Sequence, residues 1–404
     1  MMTTTIIIVL CVLVLAAYLF DLTSAKTKIP SVILLLLTGW LIRQFITLFS
    51  LTVPDLSPAL PILGTVGLIL IVLEGSLELE LDKTKAPLII KSFVTALVPM
   101  LILAFGLAFA FWLAGSPNYR LNLINAIPLC VISSAIAIPS VQNCSKHRKE
   151  FVVYESSFSD ILGVMFFNFI IENHFYGIQA FGNFSIQLFV ISVFSFVATM
   201  GLILLLRKID SHVKFVPMIF VIILIYEISK VYHLPGLIFI LMFGLFLGNV
   251  DEMRKIRQIK KWIPENLDAD VHRFRNIISE GCFLIRTLFF LLFGYLIDTS
   301  ELLNSDTLIW AVSITVAIYG LRGIQLKFSR LSFFPLLFIA PRGLITILLF
   351  VSIGESDLIS FSNRSLIIQV IVLTSLVMMM GFILNPLLKK KKAEKEKMLM
   401  DAEK

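Results

Sequence analysis

Two acidic residues, Glu155 and Asp160, lie five positions apart in an otherwise apolar stretch from about residue 151 to 171, with serines close by. A carboxylate inside a lipid-embedded helix costs at least about 2.5–3.5 kcal/mol unless it is paired, so acids in that position are retained for function. At 100° per residue, Asp160 shares one helix face with Ser156, whereas Glu155 and Ser159 share another face about 140° away. The two carboxylates are therefore predicted to have different roles.

The chemistry that these residue types suggest is the binding of a monovalent cation and of a proton. Hard cations prefer oxygen ligands, which carboxylates, hydroxyls and the free carbonyls of an unwound helix supply. A carboxylate that binds either a cation or a proton couples the movement of the two ions, best when its pKa lies near the operating pH. The candidate residues are Glu74, Ser133, Ser134, Glu155, Ser156, Ser159, Asp160 and Arg342.

Among these candidates, Asp160 is predicted to be the exchanging carboxylate, and Glu155 is predicted to form a structural ion pair with Arg342. An arginine keeps its charge in all circumstances, so it needs a permanent counter-ion. The simpler alternatives remain open: Asp160 as a structural hydrogen-bond partner of a serine, Glu74 at the cytoplasmic interface, and Ser133 and Ser134 bonded to carbonyls of their own helix.

The composition places these residues in a membrane protein. Of the 404 residues, 58% are hydrophobic and only 15% are charged, against about 25% charged in soluble domains. The apolar runs suit helices of about 20 residues rather than the short alternating strands of an outer-membrane barrel. The formal charge of +7 could indicate nucleic acid as a partner, but the basic residues alternate between loops, as orientation signals do. No nucleic-acid partner is expected; membrane lipids are.

Apolar runs predict an all-α polytopic protein with about thirteen transmembrane helices, centred near residues 12, 39, 67, 102, 131, 161, 193, 222, 242, 287, 315, 341 and 376. If the Lys-rich tail at residues 389–404 is cytoplasmic, thirteen spans place the N-terminus outside. Of the 34 Lys and Arg, 27 then lie on the tail's side and four on the opposite side. This imbalance supports both the count and the orientation.

An internal repeat is visible in the second and ninth predicted spans, where Pro30 and Gly39 recur as Pro235 and Gly244. A shift of seven spans inverts the second copy, which is typical of inverted-repeat transporters. The fifth and twelfth spans also correspond, and each has a proline in the middle of an apolar run. Such helix breaks are tolerated in lipid where neighbouring groups or a cavity satisfy the freed backbone. The predicted breaks are at Pro139, Pro341 and Gly343.

The residues 155–160, Glu-Ser-Ser-Phe-Ser-Asp, resemble the Glu-Ser-x-x-Asn-Asp helix of the monovalent cation:proton antiporter superfamily, in its sodium/proton exchanger branch. Residues 340–343 resemble the Arg-Gly motif of its second broken helix, residues 73–75 its Phe-Glu-Gly, and residues 30–39 its opening motif. The resemblance implies that Asp160 binds the ion, that Glu155 and Arg342 form the structural pair, and that Ser156 and Glu74 are auxiliary ligands of the monovalent cation. No cofactor is implied.

The same resemblance implies a homodimer. It divides a single transporter domain (1–388) into interface helices within residues 1–82 and 215–300 and a moving core within residues 88–172 and 303–388, followed by the basic tail (389–404). Two departures concern the site. Where the family has Thr-Asp-Pro in its first broken helix, this chain has Ala137-Ile138-Pro139, and where the family has Asn or Asp before the exchanging Asp, it has Ser159.

These observations predict a non-enzymatic, electroneutral antiporter that exchanges Na⁺ for H⁺ in a prokaryotic inner membrane, with its C-terminus in the cytoplasm. The alternatives are a K⁺/H⁺ antiporter of the same fold and a membrane sensor or scaffold that does not transport. An intramembrane enzyme would need an aspartate pair or a Ser-His dyad, and the predicted spans contain no histidine. Arg322 could be an interfacial anchor or a core residue, and Glu280 and Arg286 have no assigned role.

Overall fold

The computed structural model describes residues 2–27, 29–49, 55–79, 83–141, 144–172, 178–208, 215–232, 234, 236–254 and 267–402. These residues form sixteen α-helices and no β-strand. The helices of the first half are α1 (Met2–Thr27), α2 (Ser31–Leu48), α3 (Ala59–Glu78), α4 (Ala86–Leu113), α5 (Tyr119–Ala126), α6 (Ser134–Ser140), α7 (Lys146–Glu172) and α8 (Ile178–Lys208). The helices of the second half are α9 (Phe215–Val231), α10 (Gly236–Gly248), α11 (Val250–Arg254), α12 (Leu267–Leu296), α13 (Thr299–Leu302), α14 (Ser305–Phe328), α15 (Leu344–Val351) and α16 (Arg364–Ala402).

Long apolar helices dominate the described chain. Seven helical segments are at least 18 residues long and apolar enough to cross a membrane, and three shorter helices are also apolar. The protein is therefore an all-helical, multi-pass membrane protein. Each of the thirteen predicted centres falls in a helix or in a broken segment, but the number of crossings stays a prediction. The predicted tail continues α16 as far as Ala402, and its last two residues lie outside the described part.

Two helix pairs that the repeat relates pack backbone against backbone. A Cβ atom on Gly39 of α2 would lie 2.7 Å from the backbone nitrogen of Tyr295 in α12. A Cβ atom on Gly244 of α10 would lie 2.7 Å from the Cβ atom of Ser76 in α3. The contact of α2 with α12 thus corresponds to that of α10 with α3, as the inverted repeat requires. Small residues allow this close approach, as they do at many helix contacts in membranes.

Gly39→Ala is expected to lower the unfolding temperature of the purified protein. The new methyl group would clash with the backbone of α12, which cannot move aside as a flexible side chain can, and overpacking of this kind costs about 1–3 kcal/mol. Gly106→Ala in α4 is the matched control, since a Cβ atom there would have no neighbour within 4 Å. Equal unfolding temperatures for the two variants would contradict the close contact between α2 and α12.

Two segments leave the helical conformation inside the bundle. In the first, α5 is followed by a 3-10 turn (Ile127–Cys130), by extended residues 131–133 and then by α6. In the second, a 3-10 turn (Leu336–Phe338) is followed by the non-helical residues 339–343 and by α15. The second break contains Pro341 and Gly343, as predicted. The prediction that Pro139 breaks the first helix is wrong, because Pro139 lies inside α6, one residue before that helix ends.

Candidate functional site

The two broken segments meet and are joined by a backbone hydrogen bond. The amide of Ser133 donates to the carbonyl oxygen of Pro341 at 2.9 Å. Gly343 permits this approach, because a Cβ atom at that position would lie 2.9 Å from the hydroxyl oxygen of Ser133. A residue with a side chain at position 343 would therefore displace the side chains of Ser133 and Ile136. The crossing satisfies one of the backbone groups that each break releases, as the membrane interior demands.

Asp160 of α7 lies at the N-terminal end of α6, which begins just after the first break. Its side chain is buried, with 1% of the residue exposed. The backbone amide of Ser134 donates to Asp160 Oδ2 at 3.3 Å, and the hydroxyl of Ser134 donates to the same oxygen. The free amides at the start of a helix favour a carboxylate. The structure therefore brings together Asp160 and Ser134, as the sequence analysis proposed.

Two buried oxygen atoms at this crossing have no hydrogen-bond partner. They are Asp160 Oδ1 and Ser133 Oγ, each in a residue that is 1% exposed. Leaving a buried polar atom unpaired costs about 1–3 kcal/mol, and more when the group is charged. Oxygen atoms that lack a protein donor are suited to a positively charged ligand, which is either a proton on the carboxylate or a small cation. The site thus has the chemistry for binding either ion.

The neighbours of Asp160 hold the first broken segment in place. Ser159 Oγ accepts a hydrogen bond from the amide of Ile132 at 2.9 Å. Gly163 allows α7 to approach the same segment, because a Cβ atom there would press on the side chain of Val131. Ser159 is predicted as an ion ligand, but in the structure its hydroxyl oxygen accepts a hydrogen bond from the backbone of the first broken segment. Its oxygen retains one lone pair, and its role as a ligand stays a prediction.

Glu155 does not pair with Arg342, and that prediction is wrong. Its two carboxylate oxygens accept from the guanidinium of Arg322 in α14, at 2.5 Å from Nη1 to Oε1 and 2.7 Å from Nη2 to Oε2. Gln325 Nε2 also donates to Glu155 Oε1 at 2.8 Å, and to the carbonyl oxygen of Thr95 in α4. Glu155 and Arg322 are 1% and 2% exposed. The pair is buried and bidentate, as the planar geometry of a guanidinium favours.

Arg342 instead bonds to neutral groups of the broken segments. Its Nε donates to the carbonyl oxygen of Leu129 at 2.7 Å, and its Nη1 donates to that of Ala340 at 3.1 Å. Leu129 lies in the 3-10 turn before the first break, where carbonyls have lost their helical partners. A cation favours such a carbonyl end of a helical element. The predicted pair with Glu155 therefore does not form because the guanidinium of Arg342 is held by carbonyl groups of the broken segments and does not reach α7.

The remaining predicted ligands are placed in different ways. Ser156 donates to the carbonyl of Val152 in its own helix at 2.7 Å, as serines in membrane helices often do. Glu74 is turned towards α12, where Ser279 donates to its Oε1 at 2.6 Å. Within the described residues, no hydrogen bond joins Glu74 to Asp160 or to Ser156. Their role as cation ligands stays a prediction.

Sequence reasoning left Arg322 undecided and did not identify Gln325. Both lie on one face of α14, three residues apart in a helix that is otherwise long and apolar. Polar residues at i and i+3 in a membrane helix are neighbours, and an intramembrane arginine is a functional residue by default. This spacing indicates a buried polar pair in α14, but it does not indicate which carboxylate the two side chains bind.

Ser134→Ala is expected to raise the KM for the transported cation about tenfold or more. A hydrogen bond to a charged group contributes about 1.5–3 kcal/mol, and each 1.4 kcal/mol corresponds to a tenfold change in affinity. The measurement is cation-dependent proton movement in vesicles across a range of cation concentrations. Ser313→Ala is the control, since Ser313 is exposed on α14 and its hydroxyl bonds only to the carbonyl of Ile309. Unchanged KM in Ser134→Ala would exclude a role for this bond.

Comparison with known proteins agrees with this fold. No curated protein sequence matches the chain. Two solved structures of the sodium proton antiporter MjNhaP1 from Methanocaldococcus jannaschii share its fold. The structure at pH 8 has a TM-score of 0.65 and 19% sequence identity over 95% of this chain and 96% of that one. The structure from an electron microscopy map has a TM-score of 0.62 and 20% identity over 94% of each chain.

The family profile described as "Sodium/hydrogen exchanger, transmembrane" matches residues 9–390, nearly the whole chain. The match includes both broken segments and the helix that carries Glu155 and Asp160. The resemblance read from the short motifs is thereby confirmed, and the chain belongs to the transmembrane sodium/hydrogen exchanger family.

Proposed function

We propose that this protein is a secondary active antiporter that exchanges Na⁺ for H⁺ by alternating access and so regulates pH and cation content. The observation that carries the proposal is the position of Asp160, a buried carboxylate at the crossing of two broken segments with one oxygen free of any protein donor. A proton and a cation compete for that oxygen, so binding of one displaces the other. The solved antiporter of the same fold supports this activity.

The exchange is proposed to be electroneutral, with one cation moved for each proton. Within the described residues, Asp160 is the single carboxylate at the crossing. The other acid of α7, Glu155, is already neutralised by Arg322. A site with one exchangeable charge carries the same charge whether it holds a proton or a monovalent cation. Clamping the membrane potential should therefore leave the exchange rate unaltered, and a dependence on potential would reject this stoichiometry.

The assembly and the location are proposed with the family match as their support. We infer a homodimer, with interface helices within residues 1–82 and 215–300 and a moving core within residues 88–172 and 303–388. A prokaryotic inner membrane is proposed as the location. The excess of Lys and Arg in alternate loops supports a cytoplasmic C-terminus and an external N-terminus. Cross-linking in native membranes would test the dimer, and labelling of single cysteines at each terminus would test the orientation.

The decisive experiment is an exchange assay on purified protein in liposomes that contain a pH-sensitive dye. After a pH gradient has been imposed, Na⁺, Li⁺ and K⁺ are added separately. Dissipation of the gradient by Na⁺ at the lowest concentration supports the proposal. Dissipation by K⁺ alone would identify a K⁺/H⁺ antiporter of the same fold, and no response to any cation would indicate a sensor or scaffold that does not transport.

A further inference from the structure

A second polar site lies beside the ion site, in a cavity of about 30 Å³ between α4, α7, α14 and the two broken segments. Asp160 is not among the residues that line it. The charged and polar side chains of its wall come from four parts of the fold. They are Thr95, Ser159, Arg322, Gln325 and Arg342. The cavity is therefore distinct from the carboxylate that the proposed exchange uses.

The wall of this cavity is cationic. It contains two guanidinium groups and no carboxylate. Glu155 neutralises Arg322 from outside the cavity, through two hydrogen bonds. Arg342 has no such partner, since no carboxylate among the described residues forms an ion pair with it, and it is only 2% exposed. A buried charge without a counter-ion is costly, and in the membrane interior it is more so.

The carbonyl groups that Arg342 does contact reduce this cost but do not remove the charge. Leu129 and Ala340 accept from Nε and Nη1, whereas Nη2 donates to no described residue. Ser159 adds a second donor at the same wall, because its oxygen accepts from Ile132 and its hydroxyl hydrogen remains available. Two donors and a net positive charge thus face one small space.

The size of the cavity limits what can occupy it. A water molecule needs about 10–15 Å³, so this volume holds about two waters or one monatomic anion. Most of the wall is apolar, with Met100, Leu103 and Ile318 among its residues. A water molecule would find polar partners here, in Ser159 and Arg342, but it would not neutralise the guanidinium. A weakly hydrated halide suits a wall that combines apolar surface with a guanidinium.

We propose that this cavity binds a monovalent halide, chloride in the cell, which serves as the missing counter-ion of Arg342. The anion neutralises the second broken segment, which has no acidic residue of its own between positions 336 and 351. The proposal concerns the stability of the crossing and is independent of the transported cation. It would hold whether the exchanged ion is Na⁺ or K⁺.

The test uses the purified full chain in detergent, transferred from sodium gluconate into sodium chloride or sodium bromide at equal ionic strength. Gluconate is too large for the cavity. A saturable rise of the unfolding temperature in chloride and bromide is expected. Crystals grown in bromide should show an anomalous peak between Arg342 and Ser159. Equal unfolding temperatures in all three salts, or a wild-type crystal whose cavity contains only water, would overturn the proposal.

A pair of matched variants assigns the effect to Arg342. Arg342→Gln is expected to unfold at the same temperature in chloride and in gluconate, because it removes the charge that needs neutralising. Arg43→Gln is the control, since Arg43 is a partly exposed arginine that pairs with Asp298, and it should keep the full response to chloride. A full response in Arg342→Gln would overturn the assignment. If that variant does not fold, the bromide peak in the wild-type crystal still decides.

Discussion

Asp160→Asn is expected to abolish cation-driven proton movement while leaving the protein folded. The asparagine side chain has the same shape and keeps an oxygen that can accept from Ser134, so the crossing of the broken segments should persist. It has no charge to attract a cation and no carboxylate to take up a proton. The assay is the imposed pH gradient in liposomes with Na⁺ as the added ion. The unfolding temperature shows that the fold is unchanged.

The control for this variant is Asp306→Asn, which makes the same chemical change at an exposed position in the first turn of α14. It should exchange ions at the wild-type rate. Wild-type exchange by Asp160→Asn would show that this carboxylate is only a structural hydrogen-bond partner of Ser134. The proposed mechanism would then be rejected.

Arg322→Met is expected to destabilise the protein by about 3–5 kcal/mol, the usual cost of removing one partner from a buried ion pair. Glu155 would be left in the membrane interior with only Gln325 as a side-chain donor. The measurement is the unfolding temperature in detergent. Because Glu155 and Arg322 are partners, the double variant Glu155→Gln, Arg322→Met should cost less than the sum of the two single variants.

The control for the ion pair is Arg364→Gln. This variant removes the ion pair of Arg364 with Glu301, in which Nε lies 3.5 Å from Oε1. The side chain of Arg364 is 45% exposed, and an exposed pair contributes about 0–1 kcal/mol. A small effect of Arg322→Met, similar to that of the control, would contradict the pairing. Additive effects of Glu155→Gln and Arg322→Met would contradict it as well.

The sequence predicted the general fold well because the relevant signals are local. Apolar length and basic loops mark each span, and the thirteen predicted centres all fall in helices or breaks. The repeated glycines also predicted correctly that two helix pairs correspond, since Gly39 and Gly244 both lie at close contacts. Helix boundaries depend on packing and hydrogen bonds at the ends, which no local pattern specifies.

The position of the first break was predicted less well. Pro139 was a reasonable signal, because proline removes a helical hydrogen bond. In the structure the chain is instead extended at residues 131–133, where Ser159, Pro341 and Asp160 provide partners for three consecutive amides, those of residues 132–134. The break is therefore stabilised by contacts from other helices, and these are distant in sequence.

The displacement also decides which residue of the first broken segment meets Asp160. That residue is Ser134, which donates from its amide and its hydroxyl. Ile138 lies beyond the break, inside α6.

The choice between two intramembrane arginines could not be made from sequence. Arg322 and Arg342 are both buried, and either could neutralise Glu155. The structure decides because the unwound carbonyl of Leu129 binds Arg342, whereas α14 presents Arg322 together with Gln325 to α7. Such a decision depends on tertiary packing alone.

The contacts of Gln325 also have a mechanical consequence. Because its amide bonds both to Glu155 in α7 and to the backbone of Thr95 in α4, side-chain hydrogen bonds join three helices inside the bundle. In the proposed exchange, we expect α4, α7 and α14 to move as one rigid body when Asp160 changes the side that it faces. The contact of Gly75 in α3 with Ser157 in α7 is made of small side chains. In the proposed exchange, this is a contact at which we expect the moving core to pass the interface helix α3.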